Sequence, residues 1–104
     1  MRRAYTLTSP SGQKDYYEIT VKKEYKGVFS NWLHEKFKKD SIVRISKPHG
    51  SFYLDTQENK TVVCLCAGIG VTPFLAMIRT MAKTNDSRKL HLIYSARTED
   101  LFSY

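Results

Sequence analysis

The residues best placed to do chemistry form the run Cys66-Ala67-Gly68-Ile69-Gly70-Val71-Thr72-Pro73. Its two glycines permit a sharp turn and a close backbone approach. Thr72 and Pro73 suit a helix start, the first through its hydroxyl and the second because the first helical position needs no N–H. A glycine turn running into a helix directs free N–H groups and a positive dipole end at what lies before it, which is how a phosphate is held. Gly27-Val28-Phe29-Ser30 repeats the theme, with Ser30 as an N-cap and a second possible anion site. Taken alone, the first run fits a tight turn as well as a nucleotide site, and the second fits a plain capped helix.

These runs need elements to carry them. Residues 61–65 are apolar and β-branched, as in a buried strand, and Phe74, Met77, Ile78 and Met81 recur at helical spacing. Residues 89–95 supply a second strand, which a right-handed crossover would make parallel to the first. Upstream, residues 3–9 and 16–22 alternate as antiparallel strands around Pro10-Ser11-Gly12, with Tyr17, Ile19 and Val21 on one face. A short helix over residues 31–39 carries Leu33 and Phe37 as an apolar pair. Residues 42–45 and 51–54 read as short strands flanking Lys47-Pro48-His49-Gly50. The polar stretch 55–60 is the best linker, dividing the chain into parts at 1–57 and 58–104. The expected class is α+β in the first part and α/β in the second.

Composition narrows the partners. The 104 residues carry a net charge of +7, with 41% hydrophobic and 26% charged residues, a balance that folds and favours an anionic partner. No apolar run approaches the ~20 residues of a membrane span, and residues 1–5 lead into a strand pattern without a signal-like apolar core, so cytoplasm is the expected location. Cys64 and Cys66 share a strand face and read as buried reduced thiols; no other cysteine exists to complete a metal site, and none is expected. His34, His49 and His91 are scattered, with His91 read as structural inside a strand, and no metalloprotease or esterase motif occurs. The lysines gather at a helix end and in loops, which describes a solvated surface better than a nucleic-acid face.

The glycine turn departs from the full dinucleotide fingerprint, since Pro73 stands at the third glycine position and no acidic residue follows the second strand. Arg97 lies there instead, able to accept a 2′-phosphate and so favouring NADPH, or serving as a surface cation.

In order, Arg3-Ala4-Tyr5-Thr6, Gly27-Val28-Phe29-Ser30, Pro48-His49-Gly50-Ser51-Phe52 and Gly68-Ile69-Gly70-Val71-Thr72-Pro73 resemble the ferredoxin–NADP reductase superfamily, of the flavohaemoglobin, oxygenase-reductase and hybrid-cluster-protein-reductase type. The resemblance implies a partial antiparallel FAD-binding barrel followed by a partial Rossmann-like NAD(P) domain. It places Arg3 at the FAD pyrophosphate, Tyr5 against the isoalloxazine ring, and Thr6 near flavin N5. Thr20 and Lys22 fall on the adenosine side, with Gly27, Val28 and Ser30 at the pyrophosphate. Gly68, Gly70, Thr72 and Pro73 become the NAD(P)H turn, with Thr72 close to the nicotinamide. Ser95 and Arg97 fall at the adenosine ribose or its phosphate. Thr6 and Thr72 would thus stand nearest the reacting atoms. Electrons would pass from NAD(P)H through FAD to an iron–sulfur or haem acceptor, an acidic electron-transfer protein or domain. Because the family's barrel and Rossmann half both carry further strands, the chain reads as truncated at both ends. The alternative is a non-catalytic binding or interaction fragment, and a homodimer would cover its open edges.

Overall fold

The computed structural model describes residues 2–55 and 57–104; Met1 and Thr56, the latter in the expected linker, lie outside the described residues. Helix α1 spans Val28–Glu35. Strand β1 (Val62–Ala67) passes through a 3-10 turn (Gly68–Val71) into helix α2 (Thr72–Lys83), and strand β2 (Leu90–Ser95) follows.

The β1-α2-β2 unit is parallel as expected, with Val62 opposite Leu90 and Ala67 opposite Ser95. Helix α2 ends where Asn85 takes the left-handed conformation (φ 53°), which asparagine tolerates. The Asp86 N–H then donates to the Met81 carbonyl at 2.9 Å, satisfying a helix-end acceptor. The return to β2 is closed by Arg88, which pairs with Asp86 at 2.7 Å and donates to the Asp55 carbonyl at 2.9 Å.

One face of the sheet is covered and the other is not. Val62, Cys64 and Cys66 alternate inward on β1, and Cys64 is buried to 1% exposure. Both thiols are free, and burial pushes both upward, with the nearby Cys66 adding to the effect on Cys64. The opposite face carries Val63 and Leu65, 64% and 72% exposed. The strand expected to be buried is therefore half-buried. His91 stands opposite Val63 on this open face and is exposed, so it is not a buried structural histidine.

The N-terminal part departs further from the alternation pattern. Of the four expected strands, the described residues form one antiparallel bridge, Leu7 with Ile19, reinforced by the Thr8 N–H to the Glu18 carbonyl at 2.8 Å. Residues 42–45 and 51–54 form no ladder, and nearly all of their side chains are exposed. A strand needs a hydrogen-bonded neighbour, and among the described residues these segments have none. Tyr17 and Ile19 are likewise open to solvent, 53% and 41% exposed.

Polar and aromatic contacts join this part to α2. Arg79 pairs with Glu18 at 2.5 Å, the Ser11 N–H donates to Thr80 Oγ1 at 2.9 Å, and Phe52 meets Phe74 edge-on at 5.7 Å. Hydrogen bonds from the Thr8 hydroxyl and from Arg79 hold the Glu18 carboxyl below its ordinary range. A carboxyl depressed in the folded state stabilises above its unfolded pKa, and that contribution is lost as pH falls through the depressed value. Both side chains keep over a third of their surface in solvent (36% and 42%), so the pair contributes at most about 1 kcal/mol. Urea midpoints should be flat from neutral pH down to the carboxylate range and fall below it, and Glu18→Gln should reduce that slope.

Candidate functional site

Helix α1 begins earlier than its sequence pattern suggests. Gly27 is the capping residue and Ser30 lies inside the first turn, so Ser30 is not the N-cap. Its hydroxyl accepts instead from the Glu24 N–H at 3.1 Å, while the Glu24 carbonyl receives the Gly27 N–H at 3.0 Å and Asn31 Nδ2 at 2.9 Å. That loop leaves no space at Gly27, where a Cβ would stand 2.6 Å from Ser30 Oγ and 3.0 Å from Glu24 Cβ. The glycine is required by crowding, and not by its backbone angles. No side chain caps this helix start and no acidic residue occupies its first turn. The helix closes at Glu35, so Phe37 lies beyond it and packs on Trp32 at 5.7 Å.

Tyr5 is positioned by an aromatic stack. Its ring lies 6.0 Å from Phe29, which lies 5.5 Å from Trp32, with interplanar angles of 29° and 22°. Phe29 and Trp32 are one helical turn apart on α1, so the helix face dictates where Tyr5 sits. His34 ties the same helix to the neighbouring segment, Nε2 lying 2.7 Å from the Val21 carbonyl.

The glycine turn has a related construction. Gly68 takes φ +54°, a conformation that favours glycine, and opens the 3-10 turn. Because that turn already has helical backbone at Val71, Thr72 enters α2 as a helical residue and makes no capping hydrogen bond. Thr72 is buried at the helix start, with Pro73 beside it and no acidic residue in the first turn. At Gly70 an added Cβ would meet only Cys66 Cβ at 4.0 Å. Gly70 is thus unconstrained by the protein itself.

These two helix starts face one cleft of about 540 Å³. Arg3, Tyr5, Thr6, Thr20, Lys22, Gly27 and Ser30 line it from the N-terminal part, and Gly70, Thr72 and Pro73 from the β-α-β unit. Ala4, Glu24, Phe29 and Ile69 complete the wall, and of these Glu24 and Ile69 carry no motif signal of their own. Lys22 and Glu24 stand 4.0 Å apart, so the acidic side chain in the wall has a cation beside it. Thr20 also meets the Tyr104 hydroxyl.

Four expected residues lie outside this wall. Val28 is exposed on the outer side of α1, and Gly68 shapes the turn from behind. Ser95 ends β2 opposite Ala67, at the same sheet end as the glycine turn, and Arg97 is exposed just beyond it. In parallel sheets ligands collect at the carboxyl ends of strands, which is where Ser95 and the turn are found.

Chemically, the cleft offers two cations, two acid-free helix starts, an aromatic ring held by stacking and three threonine hydroxyls. Such a set has the chemistry to hold phosphates and a flat ring system. The open space at Gly70 leaves room for a ligand to approach the backbone closely.

Residues 1–53 match the oxidoreductase FAD-binding domain family and residues 64–104 the oxidoreductase NAD-binding domain family. A flavohemoprotein of Bacillus subtilis (strain 168) is 37% identical over 98 residues, which is 94% of this chain and 24% of the relative. One from Oceanobacillus iheyensis is 35% identical over 102 residues, covering 94% of this chain and 25% of its own length. Among solved structures, phthalate dioxygenase reductase, a modular structure for electron transfer from pyridine nucleotides to a 2Fe-2S centre, superposes with TM-score 0.85 at 28% identity. That match covers 98% of this chain and 32% of the reductase. The flavohem-like FAD/NAD-binding domain of nitric oxide dioxygenase from Vibrio cholerae O1 biovar El Tor gives 0.73 at 28% identity, over 95% of this chain and 43% of that one. The chain spans about a quarter of the length of these flavohemoproteins.

Proposed function

The chain belongs to the oxidoreductase FAD-binding domain family, and from that premise we propose that it is the cofactor-binding part of a reductase carrying electrons from NAD(P)H through FAD to an iron–sulfur or haem acceptor. Residues 1–57 serve as a partial FAD-binding barrel and residues 58–104 as a partial Rossmann-like NAD(P) domain. What carries the reading is that helix starts from both parts line a single cleft.

Held by these residues, NAD(P)H and FAD would supply hydride transfer and single-electron chemistry. The chain's own residues bind and orient. Arg3 and the start of α1 at Gly27, Val28 and Ser30 would hold the FAD pyrophosphate. Tyr5, backed by Phe29, gives the isoalloxazine ring a face to stack on, and the Thr6 hydroxyl hydrogen-bonds near N5. Thr20 and Lys22 take the adenosine side. Gly68, Gly70, Thr72 and Pro73 hold the nicotinamide dinucleotide, with Thr72 nearest the ring. Ser95 and Arg97, at the sheet's carboxyl end, contact its ribose or 2′-phosphate.

The net charge of +7 supports an acidic electron-transfer partner. No helix among the described residues is long and apolar enough to cross a membrane, and a cytoplasmic location suits the two reduced thiols. One observation favours a second reading. The open sheet face bearing Val63, Leu65 and Ile93 could be covered by a second copy of the chain, making it an interaction fragment in place of a reductase.

Titrating the protein into FAD separates the two. Perturbed flavin bands with ferricyanide-dependent NAD(P)H oxidation are expected. A folded dimer by light scattering that leaves FAD unperturbed would favour the interaction fragment.

A further inference from the structure

Arg79 lies about two turns along α2 from Thr72 and does not line the cleft. Its Nη1 donates to Glu18 Oε1 at 2.5 Å and to the Thr8 carbonyl at 2.9 Å. Both acceptors belong to the N-terminal part, and both are locked to each other. The Thr8 hydroxyl donates to the same Glu18 oxygen at 2.5 Å, the Thr8 N–H to the Glu18 carbonyl at 2.8 Å, and the Glu18 N–H to Ser9 Oγ at 3.2 Å. Thr8 has no exposed surface. The next helix residue, Thr80, accepts from the Ser11 N–H at 2.9 Å and itself donates to the Ala76 carbonyl at 2.7 Å.

The positions of these anchors matter. Thr8 is two residues from Thr6, and Glu18 two from Thr20; Thr6 and Thr20 both line the cleft. In extended chain, residues two apart point to the same side, so holding Thr8 and Glu18 fixes the bearing of Thr6 and Thr20. From the other direction Arg79 is rigidly connected through α2 to Thr72 and Pro73. A single guanidinium therefore joins the backbone of one half of the cleft to the helix that forms the other half. Phe52 against Phe74 adds an apolar contact of the same sense but cannot fix a direction as hydrogen bonds do.

We propose that Arg79, with Glu18 and Thr8 as its acceptors, is a positioning residue that holds the two halves of the cleft in the register needed for the two bound rings to stack. This rests on the two-cofactor reading above. Arg79 touches neither ligand; it acts through Thr8, Glu18 and α2. Its planar head satisfies two acceptors at once, which a lysine point charge does less well. Misplacement of reacting groups by about 1 Å can cost on the order of a hundredfold in rate while each partner still binds.

The test uses the full chain with Arg79→Met and Arg79→Lys, both checked for native far-UV dichroism. Three quantities are followed: FAD and NADP⁺ dissociation constants, the long-wavelength charge-transfer band on mixing FAD-loaded protein with NADPH, and the rate of flavin bleaching. For Arg79→Met the dissociation constants should stay within about threefold while the band disappears and bleaching slows by about tenfold or more. Arg79→Lys should recover part of both. Amide exchange at Ser11 in the cofactor-free protein should quicken in Arg79→Met, with α2 amides unchanged, and this readout needs no cofactor. A variant that keeps band, rate and Ser11 protection overturns the proposal, as does one whose FAD and NADP⁺ affinities fall in step with its melting temperature. If the unsubstituted chain perturbs neither cofactor, the two-cofactor reading fails by itself, and Ser11 exchange still reports whether Arg79 joins the halves.

Discussion

Gly70→Val should weaken NADP⁺ binding by about 10- to 150-fold and leave FAD affinity and the melting temperature close to those of the parent. The magnitude is that of losing charge-assisted contacts between backbone N–H groups and a diphosphate, about 1.5–3 kcal/mol. The selectivity comes from geometry. A Cβ at Gly70 meets nothing nearer than Cys66 Cβ at 4.0 Å, and Gly70 has no positive φ to strain. The side chain therefore costs the fold little and obstructs whatever approaches the turn from the cleft. Calorimetric titration with NADP⁺, with FAD titrated in parallel, checks it. Unchanged NADP⁺ binding would remove the glycine turn from the site.

Arg3→Glu should act in the opposite compartment. Arg3 lines the cleft, is exposed, and donates to the adjacent Arg2 carbonyl at 2.8 Å. Its guanidinium supports no packed neighbour, so reversing its charge should leave thermal stability within about 0.5 kcal/mol. Near a pyrophosphate the same change removes a bidentate cation and adds repulsion, and FAD affinity should fall by about tenfold or more. The deficit should shrink as salt rises, because exposed charges are screened beyond about 8 Å at physiological ionic strength. Fluorescence quenching of FAD across a salt series reads both effects. A salt-independent loss would point to a packing role for Arg3 instead.

The β-α-β unit was legible from periodicity because its signal is local. Phe74, Met77, Ile78 and Met81 repeat along one helix, and residues 61–65 form one continuous apolar, β-branched run. What periodicity could not supply was the environment of each face: Leu65 and His91 lie on a face that none of the described residues covers. The N-terminal strands failed for a related reason. Alternation at 16–22 states which residues share a side, but a ladder also needs a neighbour, and among the described residues only the Leu7–Ile19 bridge provides one.

The two helix starts show a subtler limit. Ser30 and Thr72 are both residue types that cap helices, yet each is inside its helix. At α1 the Glu24–Gly27 loop sets the start before Ser30, and at α2 the 3-10 turn runs directly into Thr72. Arg3, Tyr5, Thr6, Gly27, Ser30, Gly70 and Thr72, which the motifs single out in distant parts of the chain, line one cleft. Arg79 escaped notice because an arginine on an amphipathic helix resembles any solvated cation until its partners at Thr8 and Glu18 are seen.

The central claim is that one cleft in this chain brings both cofactors together. Anaerobic addition of NADPH to the FAD-loaded chain, followed by flavin absorbance, tests it most directly. Bleaching of the flavin bands that is faster than for free FAD, and lost in Gly70→Val, is the expected result. Bound FAD that NADPH reduces no faster than free flavin would contradict it.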